Sequence, residues 1–323
     1  MCPLFNLLLW CLTPLFLLLL WMPSQAKTLA VHCNRTSGLS SINAALRLLN
    51  PDVSNTLIVS GTCTENVLVF GFNRLNMIAQ PRAAIQDGSG GSGFVVQIED
   101  SKDVTLKGFT IRGGQIGVFC VNFSVCRFVD NKIQDATGPG VQVVYSRATF
   151  DGHNILQHNF FGVTSLVTSF VALNPGTVIR ENASSGIVID TGGSIAGTNI
   201  MVQNNAIAVT VSSGIESVTD GHVSLGGSTI SGNAGFGITL LGQSVAEFSQ
   251  GNHITGNPAG GVTVGDQSYA LFNPGNDITG NTNGDVVCFP QFSATRGALT
   301  NIGGGTTNCG EPSESQKTIG SSR

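Results

Sequence analysis

From Gly117 to Val286 one short phrase keeps returning: an apolar residue, two variable residues, Asn, about three residues, Gly, then Val or Ile. It reads Ile155-Leu-Gln-His-Asn159-Phe-Phe-Gly162-Val163, then Ile179-Arg-Glu-Asn182-Ala-Ser-Ser-Gly186-Ile187, and later Ile230-Ser-Gly-Asn233, Ile254-Thr-Gly-Asn257 and Ile278-Thr-Gly-Asn281. With Asn204 included, the Asn-to-Asn steps from 159 to 281 are 23, 22, 29, 24 and 24 residues. A unit this short cannot bury its own apolar side chains. It must stack on copies of itself, so the chain is a solenoid.

Coils of 22 to 24 residues suit three short strands joined by turns and stacked at ~4.8 Å per coil. Alternation separates core from surface: in Gly261-Val262-Thr263-Val264 the valines point inward, Gly237-Ile238-Thr239-Leu240 repeats this, and Ala208-Val209-Thr210-Val211 follows it. The Gly before each strand fits a turn that needs positive φ. An Asn at a turn can bond its own backbone and the equivalent Asn one coil away, pairing main-chain groups that the bend leaves open. Asn159, Asn182, Asn204, Asn233, Asn257 and Asn281 are the expected ladder. Phe128, Phe150, Phe248 and Phe272 recur at coil spacing as an internal stack, and few aromatics fall at outward positions.

Composition agrees with a single elongated domain. Hydrophobic residues make up 41%, which argues against disorder, while 42 glycines among 323 residues argue against long helices. The net charge of -4 and the lack of a basic run exclude nucleic acid as a natural partner. Residues 1–26 read as a secretory signal peptide ending in Ser24-Gln25-Ala26, although no Lys or Arg precedes the apolar run, and an uncleaved leader would be a membrane anchor. Cleavage leaves no membrane span and six cysteines. Their positions suggest Cys33 with Cys63, Cys288 with Cys309, and Cys120 with Cys126 across one turn, the last pair being equally compatible with buried thiols. Such a chain is secreted or periplasmic. An N-terminal cap spans 27–55, with a short amphipathic helix from Ser41 to Asn50; the β-helix spans 56–288. A C-terminal cap spans 289–310, plugged by Phe289, Phe292 and Leu299, and a polar disordered tail spans 311–323.

The coil length, the Asn ladder and the Gly-[Val/Ile] strand starts resemble the right-handed parallel β-helix of the pectate-lyase-like superfamily, most of all its bacterial secreted right-handed β-helix repeat proteins. The resemblance covers roughly residues 56–288 and implies an all-β solenoid of about ten coils. It leaves the activity open, because the superfamily mixes lyases, hydrolases, epimerases, phage tailspikes and non-catalytic members. The family's polygalacturonase-like hydrolases imply paired aspartates, Gly-His-Gly and Arg-x-Lys; this chain has none, the nearest fragments being Asp151-Gly152-His153 and Asp220-Gly221-His222. The lyases imply a calcium site of stacked acids with a basic residue, and no such stack stands on one strand column. Calcium enters only if the chain is a lyase; no other cofactor is implied.

Three constellations remain. With Ala136 at the ladder position of its coil, Asp135, His158, Glu181 and Gln203 form an outward column one residue before the ladder, the two carboxylates ~10 Å apart. These are the candidate catalytic residues, with Arg180 placed to bind an acidic sugar; the stronger reading is that a residue beside an inward Asn must face water and is therefore polar. The longest coil places its extra residues in Ser212 to His222, where Glu216, Asp220 and His222 are candidate substrate-binding residues. The outward column Gln142, Thr164, Val188, Thr210, Thr239, Thr263 is threonine-rich, which β-propensity explains better than ice binding. His153 aligns with Asn131, Thr177, Asn252 and Asn276 as a turn residue, and His253 sits beside Asp277 as a surface pair. Asn34, Asn122 and Asn182 start glycosylation sequons, the last on the ladder. The leading expectation is an exported, monomeric, non-catalytic β-helix, a structural or surface-interaction module whose candidate partner is a polysaccharide or cell-surface glycan. The scarcity of outward aromatics makes the structural version the stronger one, and the alternative is a polysaccharide hydrolase or lyase acting along the groove.

Overall fold

The computed structural model describes residues 25–206, 212–249, 251–289 and 294–310. Most of the leader, the polar tail, Thr210 and Phe292 therefore lie outside the described residues. Within them the chain winds as a right-handed parallel β-helix of about ten turns. Each coil gives one strand to each of three sheets: twelve strands in sheet 1 and ten each in sheets 2 and 3. One coil runs Lys102–Lys107 in sheet 1, Thr110–Arg112 in sheet 2 and Ile116–Val121 in sheet 3. The next strand, Val125–Val129, then returns in register on Lys102–Lys107. No described helix is long and apolar enough to cross a membrane.

Stacking places like on like. Sheet 2 buries Ile85, Ile111, Ile133, Leu156, Ile179, Val202, Ile230, Ile254 and Ile278 as one column. Sheet 1 buries the expected phenylalanines as two pairs, Phe128 on Phe150 and Phe248 on Phe272, each 4.8 Å between ring centroids. Leu173, Gly197 and Leu225 separate the pairs, and Ile200 fills the space at Gly197.

All three corners carry a polar ladder. Between sheets 2 and 3 the rungs are Asn159, Asn182, Asn205, Asn233, Asn257 and Asn281. Each accepts the backbone N–H of the rung before it at 3.0–3.2 Å, and Ala136 N–H starts the ladder at Asn159. The rung is Asn205, not Asn204, so the steps become 23, 23, 28, 24 and 24. Asp285 closes the ladder, taking Asn281 N–H and Nδ2 on one oxygen and Thr306 N–H and Oγ1 on the other. Burial opposes ionisation of Asp285, but these bonds outweigh it and hold its pKa below the ordinary value. A second ladder, between sheets 1 and 2, includes Asn131, Asn154, Ser228, Asn252 and Asn276. Asn154 thus takes the place read for His153, whose N–H instead caps Asp130. A third, of Ser101, Ser124, Ser146 and Ser169, then Ser244 and Ser268, joins sheet 3 to sheet 1 through Ser Oγ acceptors.

The glycines before the sheet 3 strands serve a different purpose from the one read in the sequence. Gly140, Gly186, Gly214 and Gly237 are not left-handed; a Cβ on any of them would lie 2.6–2.9 Å from the carbonyl oxygen of the glycine one coil on. Close approach, not positive φ, selects them. The left-handed residue of this corner precedes the ladder: Asp135, His158, Glu181 and Asn204, then Gly232, Gly256 and Gly280, all with φ of 53–70°.

The ends differ in detail from expectation. The helix is shorter, Ile42–Leu46, capped by Ser41; it buries Ile42, Ala45 and Leu46, and Glu65 receives the N–H groups of Ile42 and Asn43. The strand Thr28–His32 already pairs with Asn55–Ser60, so sheet 1 begins inside the segment read as the cap. At the C-terminal end Phe289 and Leu299 are 52% and 59% exposed, while Ala298 and Ile302 fill the interior; the plug residues are the small and branched ones that fit a closing coil. Disulfides join Cys33–Cys63, Cys120–Cys126 and Cys288–Cys309. Among the described residues the one grouping of three metal-ligating side chains is Cys33, Cys63 and Glu65, and the disulfide removes both sulfurs as ligands.

Candidate functional site

The corner column predicted from the sequence exists, with Asn204 in place of Gln203, which pairs with Arg180 inside sheet 2. Its members form one continuous network. Arg112 Nε lies 3.3 Å from Asp135 Oδ2, His158 Nδ1 is 3.9 Å from Asp135 Oδ1, and His158 Nε2 is 3.0 Å from Glu181 Oε2. Arg180 approaches Glu181 at 3.8 Å and forks onto Gln157 Oε1 through Nε and Nη2 at 3.2 and 2.9 Å. Gln134 donates to Asp135 at 2.7 Å, and the Gln157 amide lies 3.2 Å from His158. Every carboxylate is thus balanced by a neighbour, and Arg180 is turned into the network instead of outward. The residues sit on the exposed flank of left-handed turns. A general acid or nucleophile needs a group free to meet substrate; here both carboxylates are engaged by Arg112, His158 and Arg180.

The three residues of the long coil do not converge. The extra length lies between Asn205 and Gly214, a nine-residue step where the coil before takes four, Asn182 to Gly186. The sheet 3 strand of this coil is Ser213–Ser217, while Val209-Thr210-Val211, expected as a strand from its alternation, lies outside the described residues. Glu216 therefore takes the position read for Thr210 and accepts Ser185 Oγ at 2.8 Å. Asp220 lies in the following corner, and His222 opens the strand His222–Gly226 of sheet 1, around the bend from Glu216. His253 and Asp277 do pair, at 2.9 Å.

A different group gathers on the outer face of sheet 3. Register aligns Leu68, Gln97, Phe119, Gln142, Thr164, Val188, Glu216, Thr239 and Thr263 in one column. Its second half is closed: Thr164, Thr239 and Thr263 are buried, so the threonines do not form an open flat face. Its first two members, Leu68 and Gln97, line a groove of about 370 Å³ bounded also by Asn66, Phe94 and the 88–93 loop. Phe94 and Phe119, on adjacent coils, stand 4.8 Å apart at 36°. Gln97 Nε2 donates to Glu99 Oε2 at 2.8 Å, and Asn122 Nδ2 donates to its other oxygen at 2.8 Å. More aromatic rings face outward than the alternation indicated: Phe70, Phe94, Phe119, Phe123, Tyr145 and Phe160 all retain solvent contact. The signal available was Phe94 and Phe119 flanking Gln97, but only the register brings them together. A second hollow of about 550 Å³, at the C-terminal end between Phe272, Pro274, Arg296 and Leu299, gathers a single charged group.

Asp87 holds the 88–93 wall. It accepts Ser89 N–H at 3.0 Å, Ser89 Oγ and Gly91 N–H at 2.6 Å each, and Asn66 Nδ2 at 3.0 Å. Burial opposes ionisation, yet these bonds outweigh it and lower its pKa to about 2. A depressed folded pKa gives stability that is present above the unfolded value and lost as pH falls from about 4 towards 2. Asp87→Asn is expected to lose less melting temperature than the unaltered protein between pH 5 and 2.5; an identical acid limb would show that the loop is held without this carboxylate.

The model for the right handed beta helix region matches residues 92–283, more than half of the chain. No curated sequence matches it. Among solved structures, the pectate lyase Pel9A has a TM-score of 0.55 at 14% identity, over 91% of this chain and 83% of that one. The A-module of the Azotobacter vinelandii mannuronan C-5 epimerase AlgE4 has a TM-score of 0.50 at 13% identity, over 82% and 94%. The A-module of AlgE6 from the same organism gives 0.50 at 14%, over 82% and 78%. At such identities the likeness is one of fold. With coil period, corner ladders, three parallel sheets and the family match in agreement, the chain belongs to the right-handed β-helix family.

Proposed function

We propose that this chain is an exported, monomeric β-helix that binds a polysaccharide on the outer face of sheet 3 and does not cleave it. The observation that carries the reading is the sheet 3 groove lined by Phe94 and Gln97, with the Phe119 ring packed on Phe94 from the next coil. Ring faces pack on the C–H faces of sugars while amides exchange hydrogen bonds with hydroxyls, the mixture of apolar walls and a few placed polar groups that a ligand groove needs. Pel9A and the two epimerase modules, named for pectate and mannuronan, share the fold. Three disulfides suit an oxidising compartment, in keeping with a cleaved leader at 1–26.

The cleaving alternative draws on Asp135 and Glu181 flanking His158. It is the weaker reading because both carboxylates are engaged by cations and amides. The test uses the chain from Lys27 to Arg323 with neutral and acidic polysaccharides, with and without calcium. Retarded migration in a polysaccharide gel, lost in Phe119→Ala, is expected without new reducing ends or unsaturated products. Cleavage that disappears in Glu181→Gln or Asp135→Asn would overturn the binding-only reading and place catalysis in the corner network.

A further inference from the structure

Resting on that reading, we propose that the bound polysaccharide is electrically neutral, and that it leaves the sheet 3 groove over a two-ring platform formed by Phe123 and Tyr145. The first observation is charge. None of the ten sheet 3 strands contains Lys, Arg or His, and they contain the acids Glu99, Asp190 and Glu216. The other two sheets carry cations, among them Lys102, Arg127 and Arg147 in sheet 1 and Arg112, Lys132 and Arg180 in sheet 2. A uronate polymer, with a carboxylate on every sugar, would meet only like charge on this face, at separations shorter than the ~8–10 Å over which physiological salt screens. A neutral chain meets hydroxyl, amide and carboxylate acceptors that suit its hydroxyls.

The second observation is the path. Gln97 in the groove and Asn122 at the corner both donate to Glu99, so a polar ribbon runs from the groove to the turn between sheets 3 and 1. There Phe123 is 78% and Tyr145 48% exposed, on consecutive coils joined by Phe123 N–H to Tyr145 C=O at 2.9 Å. Their ring centroids are 6.3 Å apart with planes tilted 39°. Both residues have left-handed backbone, φ 58° and 49°, a conformation that Gly or Asn adopts readily and a bulky aromatic does not. Beyond their mutual contact, folding gains little from an exposed ring at either position, whereas a sugar face gains a stacking surface.

The experiment is affinity electrophoresis and calorimetry of the chain from Lys27 to Arg323 with a neutral set (cellohexaose, mannan, galactan) and a uronate set (polygalacturonate, alginate), with and without calcium. A neutral glycan is expected to bind and the uronates not. Phe123→Asn and Tyr145→Asn should each weaken binding roughly tenfold, while the melting temperature holds or rises because Asn tolerates this backbone. Uronates bound as tightly as neutral glycans, or neutral binding unmoved by both variants, would overturn the inference and leave the binding reading standing provided Phe119→Ala abolishes retention. Concentration-dependent dimers that Phe123→Asn dissolves would also overturn it, assigning the rings to a second copy of the chain. No retention by any polymer would remove both the inference and the reading beneath it.

Discussion

Asn205→Ala is expected to destabilise the protein by roughly 3–5 kcal/mol, and Asn204→Gly by less than about 0.5 kcal/mol. The neighbours have the same side chain and opposite situations. Asn205 is fully buried; its Oδ1 accepts Asn182 N–H at 3.2 Å and Asn182 Nδ2 at 2.8 Å, and its Nδ2 reaches Ile179 C=O at 3.1 Å and Asn233 Oδ1 at 3.1 Å. Alanine leaves the Asn182 N–H without its acceptor and removes the amide bonds to Asn182 Nδ2 and Asn233 Oδ1 in a dry interior, each worth ~1–3 kcal/mol. Asn204 points outward with φ 54°, at a position where the next coils use Gly232 and Gly256. Urea midpoints would measure the difference, and hydrogen exchange would locate it, since a solenoid transmits the loss chiefly to adjoining coils. Equal effects at the two positions would show that the ladder does not run through 205.

Gly214→Ala is expected to cost about 2–4 kcal/mol, because the added methyl would lie 2.6 Å from Asn233 Nδ2 and 2.7 Å from Gly237 O. Neither atom can yield cheaply: the first is a ladder rung and the second is backbone of the next coil. Gly71→Ala is the control. Its Cβ site has nothing within 4 Å but φ is +73°, so only the left-handed penalty of about 1 kcal/mol applies. Denaturant midpoints that ranked Gly71→Ala as the costlier change would mean that coil spacing at this corner relaxes, and that close approach does not select the glycine.

The errors made from the sequence share a cause. At Asn204-Asn205 either residue satisfies the phrase, and only the hydrogen bonds choose between them. The alternation of Val209-Thr210-Val211 draws the column to Thr210, yet Glu216, in the stretch the sequence marks as an insertion, pairs with Val188 and Thr239 in the sheet 3 column. At Phe123 and Tyr145 alternation has no authority, because both lie in corners with left-handed backbone, outside the regular strands, and both side chains are exposed. The serine ladder was detectable, as Ser101, Ser124, Ser146 and Ser169 recur at 22 to 23 residues. A small hydroxyl residue is common enough to hide in a Ser-rich chain.

The sequence by itself determined the solenoid, the three strands per coil and the inward phenylalanines, because each depends on a local pattern repeated coil after coil. It suggested the two terminal cysteine pairs by position and left Cys120 and Cys126 open between a disulfide and buried thiols, which the structure joins. Tertiary structure alone decided which side chains meet across coils on the sheet 3 face: Phe94 with Phe119, and Glu99 with Asn122. Such neighbours are a whole coil apart in sequence, and their meeting depends on the length of every intervening turn. A one-residue slip sends a side chain to the opposite face of its sheet.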